Sequence, residues 1–577
     1  MINKAKKMSI TKKILIGILI FIVIGGVIFQ IFITRYLPSM VKERLSAIIV
    51  KGSDSLYKLE MGKFDLGFWG GTISITDLRI TIDSARYKKM NEEKRLPPLT
   101  FELILPKAKV AGINIKALIF SKRIDIRQIG FGSAEVKRAR HFKTTEAANN
   151  NDVPLWKLIQ PDIRSIRVSS IVCDDLKINY KNVDSAAGFH WQFDKSNILF
   201  SDIRVDSISA SDSNRLLFAK NIKLTAADIK MKTPDGLYSL QAKEILYTSA
   251  ARSMEVKQFN FYPALSNQEF KKHFGYQHEL YTVKIPFIHL KNFQLTGWIN
   301  YNKLLADTVE LVSPSVAIYL DRRAKPYPFS KKGKYPHQLL QQAPFIIHVK
   351  RLKATNASVT YRETNNLNNL TGKFVLPSLN GVIDNITNDP VAMARSSACI
   401  ADIRGTIMKA GKVHAVFRFN LADKNGAFRV NATITNIDAQ QIKPLFVAMT
   451  SVEIQSFNMK QLDYRIIGNE NSGTGTLSMQ YDNMDILLNK VEGDKSLNKK
   501  GFFSFLANRL VIYKENPMKG NEERKAINIL VQRDPTRSFF NLLWKTMFSS
   551  AREIVLRPLA KRKIEKRKQR QERRNAK

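Results

Sequence analysis

The stretch AVFRFNLADKNGAFRVNATI, residues 415–434, decides the fold class. Each of its halves places an apolar residue at every second position. This period of two is typical of a β-strand with one buried face and one solvated face. The apolar positions are Ala415, Phe417, Phe419 and Leu421 in the first half, and Phe428, Val430, Ala432 and Ile434 in the second.

Similar alternation continues on both sides of this stretch. Ile178 and Tyr180 lie in one such segment, and Val359 and Tyr361 lie in another. In GTISITDLRITID, residues 71–83, the apolar phase slips at Thr76–Asp77, which predicts a bulge or tight turn. We therefore predict a mainly β protein. Its body, residues 58–514, is expected to be an elongated, curled and largely antiparallel sheet with few short helices.

A weak internal repeat is visible in three segments. They are IRVSSIVCDDLKINY (166–180), FIHLKNFQLTGWINY (287–301) and IHVKRLKATNASVTY (347–361). Each begins with an apolar residue and ends with a β-branched residue, then Asn or Thr, then Tyr. Repetition of one supersecondary unit is how extended sheets grow by stacking. Chance agreement among alternating strands is the alternative, because the spacing is irregular.

Helices and linkers divide the body. A connecting helix is expected in 34–57, and shorter helices are expected in 263–274 and 438–450, the last kinked or opened by Pro444. Polar or proline-rich linkers are expected at residues 88–98, 144–153 and 322–336. The segment 322–336 is the predicted internal boundary, which separates an N-terminal part (58–321) from a C-terminal part (337–514).

The C-terminal region has a different pattern of apolar residues. Apolar residues recur at steps of three and four within 536–556, which predicts an amphipathic helix with Phe540, Leu543, Trp544 and Met547 on its apolar side. A strongly basic tail, 557–577, follows. Together they fit a membrane-surface element that combines apolar burial with attraction to anionic headgroups. The alternative is a helix that caps the sheet, followed by a solvated extension.

The N-terminal region contains ILIGILIFIVIGGVIFQIFI, which runs from Ile14 to Ile33 without a charge. At about 1.5 Å per helical residue it is long enough for the hydrocarbon core of a bilayer. A cleaved signal usually has a shorter apolar region that ends at a small-residue site, and no such site follows here. We predict an uncleaved transmembrane anchor at 14–33, preceded by a basic leader, residues 1–13.

Charge favours a cytoplasmic N-terminus and an exported body. Five lysines precede the anchor, and the positive-inside rule concerns such short flanks rather than long domains. The 577 residues carry a net charge of +42, with 92 Lys and Arg against 50 Asp and Glu. Outside the tail these charges are spread thinly, as expected for solvated strand faces. Cys173 and Cys399 are too few for a disulfide framework.

No motif for catalysis, metal binding or nucleotide binding stands out. The eight histidines lack an H-E-x-x-H arrangement, and the two cysteines lack metal spacing. The glycines Gly473 and Gly475 are interpreted as a turn or bulge between strands. We expect no enzyme activity, no catalytic residues, no metal and no cofactor. Charge alone suggests nucleic acid, and since no recognised module accompanies it, no nucleic-acid partner is expected.

A sheet with one polar face needs something to cover its apolar face. A compact sandwich is one solution. The other is a trough whose apolar lining holds acyl chains, which would shield about 0.8 kcal/mol of unfavourable exposure per CH₂ group. The candidate lining residues are Ile178, Tyr180, Val359, Tyr361, Phe417, Phe419, Val430 and Ile434.

Two regions resemble the AsmA-like family of Gram-negative envelope proteins. The N-terminal plan of leader, anchor and KLEMGKFDLGFWGGTISITDLRIT (58–81) is similar to that family, and the region from Asp438 to Leu488 resembles its C-terminal part. FFSFLANRLVIYKENP (502–517) and VQRDPTRSFFNLLWK (531–545) look like segments of members from Bacteroidetes-type bacteria.

The resemblance implies a periplasmic protein anchored in the bacterial inner membrane. It also implies a repeating β-groove fold, phospholipid movement toward the outer membrane, and a role in outer-membrane assembly and envelope integrity. The family has no catalytic residues to carry over. The expected partners are membrane phospholipids and an envelope protein that binds the C-terminal helix and basic tail. The alternative function is a non-catalytic scaffold of an envelope complex.

Overall fold

The computed structural model describes residues 37–67, 71–97, 99–140, 155–160, 163–182, 190–212, 215–233, 235–366, 369–449, 452–488, 512–558 and 561–562. Strands account for 57% of the structure and helices for 19%, which confirms the predicted mainly β class with few helices. The predicted anchor, Ile14–Ile33, and most of the basic tail lie outside the described residues. Among the helices that are described, none combines the length and the apolar character needed to cross a bilayer.

The chain forms two compact units. Unit 1 comprises Met1–Asp235 with Ile245–Ala250, and unit 2 comprises Gly236–Glu244 with Ala251–Lys577. The predicted internal boundary at 322–336 lies within unit 2. That segment is tied into unit 2, where the Gly333 amide donates to Glu470 at 2.9 Å and the Tyr335 hydroxyl donates to the Asn469 carbonyl at 3.0 Å.

Unit 1 begins with a helix and is then built mainly from strands. Its elements are α1 (Leu37–Gly52), β1 (Tyr57–Glu60), β2 (Phe64–Gly67), β3 (Thr72–Ile82), α2 (Ser84–Glu92), β4 (Leu99–Ile113), α3 (Ile115–Ser121), β5 (Arg123–Phe131), β6 (Ala134–Arg140), α4 (Leu155–Ile159), β7 (Ser165–Asn182), β8 (His190–Val205) and β9 (Ala219–Lys232). The next strand, β10 (Tyr238–Thr248), is divided between the two units.

Unit 2 contains the remaining strands. Its elements are β11 (Ser253–Pro263), α5 (Asn267–Phe274), β12 (Glu279–Lys291), α6 (Leu295–Tyr301), β13 (Lys303–Val312), β14 (Ser315–Asp321), α7 (Pro336–Gln341), β15 (Ile346–Thr364), β16 (Thr371–Thr387), α8 (Pro390–Arg395), β17 (Ala398–Ile407), β18 (Gly411–Asn420), β19 (Phe428–Asp438), α9 (Ala439–Met449), β20 (Val452–Gly468), β21 (Ser472–Leu488), β22 (Lys525–Gln532) and α10 (Phe539–Val555).

One motif occurs once in each unit. In unit 1, β3 pairs antiparallel with β4, which pairs antiparallel with both β5 and β6. Strands β5 and β6 lie end to end, parallel to β7, and β8 and β9 follow antiparallel. In unit 2, β11–β17 repeat every one of these pairings in the same order. Corresponding elements start about 180 residues apart, so the chain contains an internal duplication.

The duplication extends to individual backbone torsions. Asp77 in β3 and Gln258 in β11 both have positive φ, 51° and 52°, at the same interruption of the ladder. Gly112 and Asn292 also correspond, with φ of 73° and 52°. In β3 the ladder with β4 is interrupted at Asp77, within the position where the slip of the apolar phase predicts a bulge or tight turn. Of the three segments compared in the sequence, 166–180 and 347–361 do correspond, as β7 and β15. The third segment, 287–301, forms the end of β12 and α6 and is not equivalent.

The predicted helices are present with shorter bounds. The expected connecting helix is α1, and α5 and α9 account for the helices expected in 263–274 and 438–450. A capping box at Ser266 and Glu269 explains why α5 begins at Asn267 rather than at Pro263. Cys173 and Cys399 are both free and buried, as expected, and burial raises the pKa of each thiol.

Candidate functional site

An apolar face runs across eleven strands of unit 2. Residues that lie directly opposite in neighbouring strands share a face of the sheet. Two adjacent rows of such residues run from β11 to β22 and are apolar at every position. Strand β14 is not counted separately, because it lies end to end with β13 between β12 and β15. The first row is Val256, Ile288, Leu311, Ala354, Gly381, Ile403, Ala415, Ala432, Tyr464, Leu477 and Ala526, and the second is Met254, Leu290, Val309, Leu352, Ile383, Ala401, Phe417, Val430, Ile466, Gly475 and Ile529.

The opposite face is polar and charged. The row between the two apolar rows lies on that side of the sheet. It begins with Glu255, His289, Glu310 and Lys353, and it continues through Val382, Asp402, Val416, Asn431, Arg465 and Thr476. The expected contrast between an apolar face and a solvated face is therefore present in unit 2.

The apolar face is sealed at its C-terminal side. Helix α10 packs on β20, β21 and β22, and α9 packs on β15, β16, β19 and β20. Beneath them Ile466 and Leu477 are fully buried. Glycine makes this close contact possible: a Cβ atom on Gly475 would lie 2.6 Å from Thr546 of α10. The sequence predicts a turn or bulge at Gly473 and Gly475. Both glycines lie inside β21 rather than in a turn, and the pairing of β21 with β22 shifts register between Gly475 and Leu477, as in a bulge.

The other side of the face is only partly covered. From β11 to β17 most side chains of the two rows keep part of their surface in contact with solvent, although Leu290 and Ala401 are buried. The partly exposed side chains are Val256, Met254, Ile288, Val309, Leu311, Leu352, Ile383 and Ile403. The uncovered part of the apolar face, which we call the open strip, is thus formed by β11–β17.

The segment 322–341 connects β14 to α7 and then to β15. At one end, Gln277 donates to the carbonyls of Arg322 and Ala324 at 3.1 and 3.2 Å. At the other, Tyr335 is fully buried, with its ring 4.9 Å from that of Phe539. Tyr335 also belongs to the core beneath α10, so this segment packs into the sealed part of the apolar face.

A charged pair with one buried member lies at the end of the same face. Glu363 is 2% exposed, and the Arg322 guanidinium approaches it with Nε 2.6 Å from Oε1. The Tyr361 hydroxyl donates to the same carboxylate. Burial and the charge of Glu363 raise the pKa of Tyr361. Next to them Lys331 forms an ion pair with Glu279 at 2.8 Å, so the polar groups at this end are paired.

Unit 1 carries the same kind of face. Two rows across β3, β4, β5, β7, β8 and β9 are apolar throughout: Ile73, Val110, Ile129, Ile171, Phe200 and Ile222, and Ile75, Ala108, Phe131, Cys173, Ile198 and Leu224. Ile178 packs beside Cys173 and Leu176 on this face. Tyr180 lies in β7 opposite Arg138 of β6 and Trp191 of β8.

The structure brings the other predicted lining residues onto the apolar face of unit 2. Phe417 lies opposite Val430, and Val359 and Tyr361 lie opposite Leu376 and Phe374. Phe417, Phe419 and Ile434 are partly buried against the sealed core, and Val430 is 3% exposed within it. These residues therefore share a face, but most of them contact protein. The open strip beside them was not identified from the sequence, although its alternation is equally regular.

The predicted surface helix is α10. The side that packs on the sheet is not the same as the predicted apolar side of Phe540, Leu543, Trp544 and Met547. Phe539, Leu542 and Ile554 are buried against the sheet, whereas Phe540 is 60% exposed. Leu543 and Met547 contact the core, and the ring of Trp544 lies 6.4 Å from that of Phe548. The helix thus caps the sheet with one side and presents aromatic rings on another.

The polar face contains a shallow concavity of about 510 Å³ that the sequence did not indicate. Arg404, Lys412 and His414 line it, and the Asp402 carboxylate lies 3.4 Å from Arg404 and 3.1 Å from His414.

Within the described residues no cluster of His, Cys, Asp and Glu could hold a metal ion. The chain matches no protein-family model and no curated protein.

Proposed function

We propose that this protein is a membrane-anchored, periplasmic lipid-binding and lipid-transfer protein of the AsmA-like kind. In this proposal it moves phospholipid between the inner and outer membranes and contributes to outer-membrane assembly and envelope integrity. The observation that carries the proposal is the open strip, which consists of two unbroken apolar rows. From β11 to β17 most of their side chains keep contact with solvent. Acyl chains are the occupant whose chemistry suits such a surface.

The strip has the dimensions that acyl chains need. Six successive strands at about 4.8 Å spacing give a width of roughly 24 Å. The surface is continuous and carries no charged side chain within the two rows. Covering a partly exposed side chain with an acyl chain gains about 25 cal/mol for each Å² of apolar surface removed from water.

The test uses two adjacent residues on opposite faces. Ile383 belongs to the open strip, and Val382 projects to the polar face between Lys353 and Asp402. Full-length Ile383→Asp and Val382→Asp variants are purified, their bound phospholipid is counted by mass spectrometry, and the transfer of a fluorescent phospholipid between vesicles is measured. We expect Ile383→Asp to lose bound lipid and transfer at least fivefold, and Val382→Asp to retain both. Equal behaviour of two folded variants would contradict the proposal.

A second candidate function is a scaffold of an envelope complex, and the sealed core under α9 and α10 favours it. There the apolar face is already filled by protein, with Ile466 and Leu477 at zero exposure. Purification of the full chain with a stoichiometric protein partner and without phospholipid would support the scaffold over lipid transfer. In either function the exposed aromatic side of α10 and the basic tail are the proposed contact for a membrane surface or a partner protein.

A further inference from the structure

One edge of unit 1 gathers exposed apolar side chains. The end of α3 leads into β5, whose first residue, Arg123, is in register with Ser165 at the start of β7. Ile166 of β7 in turn lies opposite Val205 at the end of β8. These neighbouring strand ends, about 5 Å apart, bring α3, α4 and the turn after β8 to the same edge.

Four large apolar side chains at this edge are exposed to solvent. Phe120 of α3 is 83% exposed and Ile208, in the turn after β8, is 82% exposed. Leu118 and Leu217 are 39% and 56% exposed. Exposed apolar residues are ordinary when scattered singly, but a group of four on one edge indicates an interaction surface.

The same edge carries four basic side chains that form no ion pair with any acid in the described part of the chain. Lys116, Lys122, Lys157 and Arg164 are all exposed. Asp206, in the turn after β8, accepts a hydrogen bond from the Ser209 amide at 2.7 Å, and the other described acids nearby are engaged with arginines. Asp125 pairs with Arg123 at 2.7 Å, Asp202 pairs with Arg204 and Arg215, and Asp212 pairs with Arg215 at 3.4 Å. The remaining positive charge is therefore available to an anionic partner.

The internal duplication supplies a comparison for this edge. The corresponding elements of unit 2 are α6, α7 and α8, and they also expose apolar side chains: Tyr301 at 66%, Leu339 at 50% and Val391 at 63%. The four basic positions, however, have no charge there. Lys116, Lys122, Lys157 and Arg164 correspond to Thr296, Asn302, Gln338 and Phe345. The basic side chains at these four positions are thus specific to unit 1, although Arg395 of α8 is exposed at the corresponding edge of unit 2.

Unit 1, which carries the four basic side chains, is also the unit that follows the predicted anchor in the sequence. Helix α1 begins at Leu37, four residues after the end of the predicted anchor at Ile33, and α1 packs against α4 at this edge. We propose that the edge formed by α3, α4 and the turn after β8 lies on the bilayer that holds the anchor. Phe120 and Ile208 insert among the acyl chains, and the four basic side chains bind anionic phospholipid headgroups. This inference rests on the membrane tether of the proposed function and not on lipid carriage.

The test measures insertion at one position in each copy. A Phe120→Cys variant of the full chain is labelled with an environment-sensitive fluorophore and reconstituted into vesicles of phosphatidylcholine, with or without one quarter phosphatidylglycerol. Nitroxide-labelled lipid then quenches any probe that enters the bilayer. A Tyr301→Cys variant is the matched control, and the native Cys173 and Cys399 are too buried to label readily, at 3% and 6% exposure.

We expect at least twofold quenching at position 120 in vesicles that contain phosphatidylglycerol, and little at position 301. Adding Lys116→Gln and Lys122→Gln should weaken insertion by about fivefold for each lysine, because each contributes about 1 kcal/mol near an anionic surface. The exposed Lys409, substituted as Lys409→Gln, is the control for loss of charge.

Two results would overturn the inference: equal quenching at positions 120 and 301, or quenching at position 120 that neither phosphatidylglycerol nor the lysine substitutions change. Bound phospholipid is counted in the same preparations. A chain that holds lipid but does not insert at Phe120 refutes only this inference, and a chain that inserts but holds no lipid refutes only lipid carriage.

Discussion

Gly475 of β21 lies directly beneath Thr546 of α10. A Cβ atom on this glycine would come 2.6 Å from Cγ2 of Thr546 and 2.9 Å from Oγ of Ser550. Both side chains are fully buried, and their hydroxyls donate to carbonyls one turn earlier in the same helix, at 2.8 and 2.9 Å. Small residues on both elements therefore allow the helix to approach the sheet and seal this part of the apolar face.

Gly475→Ala is expected to destabilise unit 2 by about 1–3 kcal/mol, the usual cost of overpacking a close contact. The measurement is the shift of the denaturant midpoint of the full chain. Gly130→Ala is the control, because a Cβ atom added to Gly130 in β5 would meet no heavy atom within 4 Å, and it should change the midpoint little. Adding Thr546→Ala removes the nearest atom and should restore part of the loss. No restoration would contradict the steric explanation.

Regular alternation is what made the strands predictable. The two faces of a strand follow from its period of two, so the pairing of Phe417 with Val430 on one apolar face needed no tertiary information. What covers that face depends on contacts between distant residues. Gly333 and Glu470 are 137 positions apart, and a contact over that distance leaves no local pattern. The sequence therefore predicted a polar, proline-rich linker where the structure has an ordered segment that packs into unit 2. For the same reason, the sequence did not indicate that the glycines of β21 lie under a helix.

The ion pair of Arg322 with Glu363 allows a test of the charged end of the apolar face. Arg322→Met leaves the Glu363 carboxylate, 2% exposed, without its cation. We expect a loss of about 2 kcal/mol, because the buried Glu363 charge loses its partner, while the partly exposed Arg322 places the pair between a surface pair and a fully buried one. Arg322→Met combined with Glu363→Leu should be less destabilised than Arg322→Met alone. Chemical denaturation of the four members of this double-mutant cycle measures the coupling, and additive losses would argue against it.

His337 is expected to make unit 2 sensitive to acid. Its side chain is 4% exposed and stacks on Phe419 with the rings 4.8 Å apart. Burial lowers the pKa of His337 below its ordinary value of 6.5, and the Gly426 backbone and the Asp423 carboxylate partly oppose this. The unfolded chain therefore binds a proton that the folded chain does not, so the free energy of unfolding falls as the pH drops below about 6.5.

The measurement compares thermal unfolding of the full chain at pH 7.5 and at pH 5.5. His337→Phe keeps an aromatic ring against Phe419 and should remove part of the pH dependence. His273→Phe is the control, because this histidine is exposed in α5 and should leave the dependence unchanged. The same acid sensitivity in His337→Phe as in the unaltered chain would show that other groups are responsible.

The two sides of α10 should respond differently to truncation. Leu542 is 1% exposed in the core shared with β20–β22, so Leu542→Ala is expected to cost about 2–5 kcal/mol of unfolding free energy, including the cavity that it leaves. Phe540 is 60% exposed, so Phe540→Ala should change stability by less than about 1 kcal/mol. Denaturant unfolding separates these cases. If Phe540→Ala were as destabilising as Leu542→Ala, the exposed aromatic side would be packed against protein and not available for a membrane or a partner.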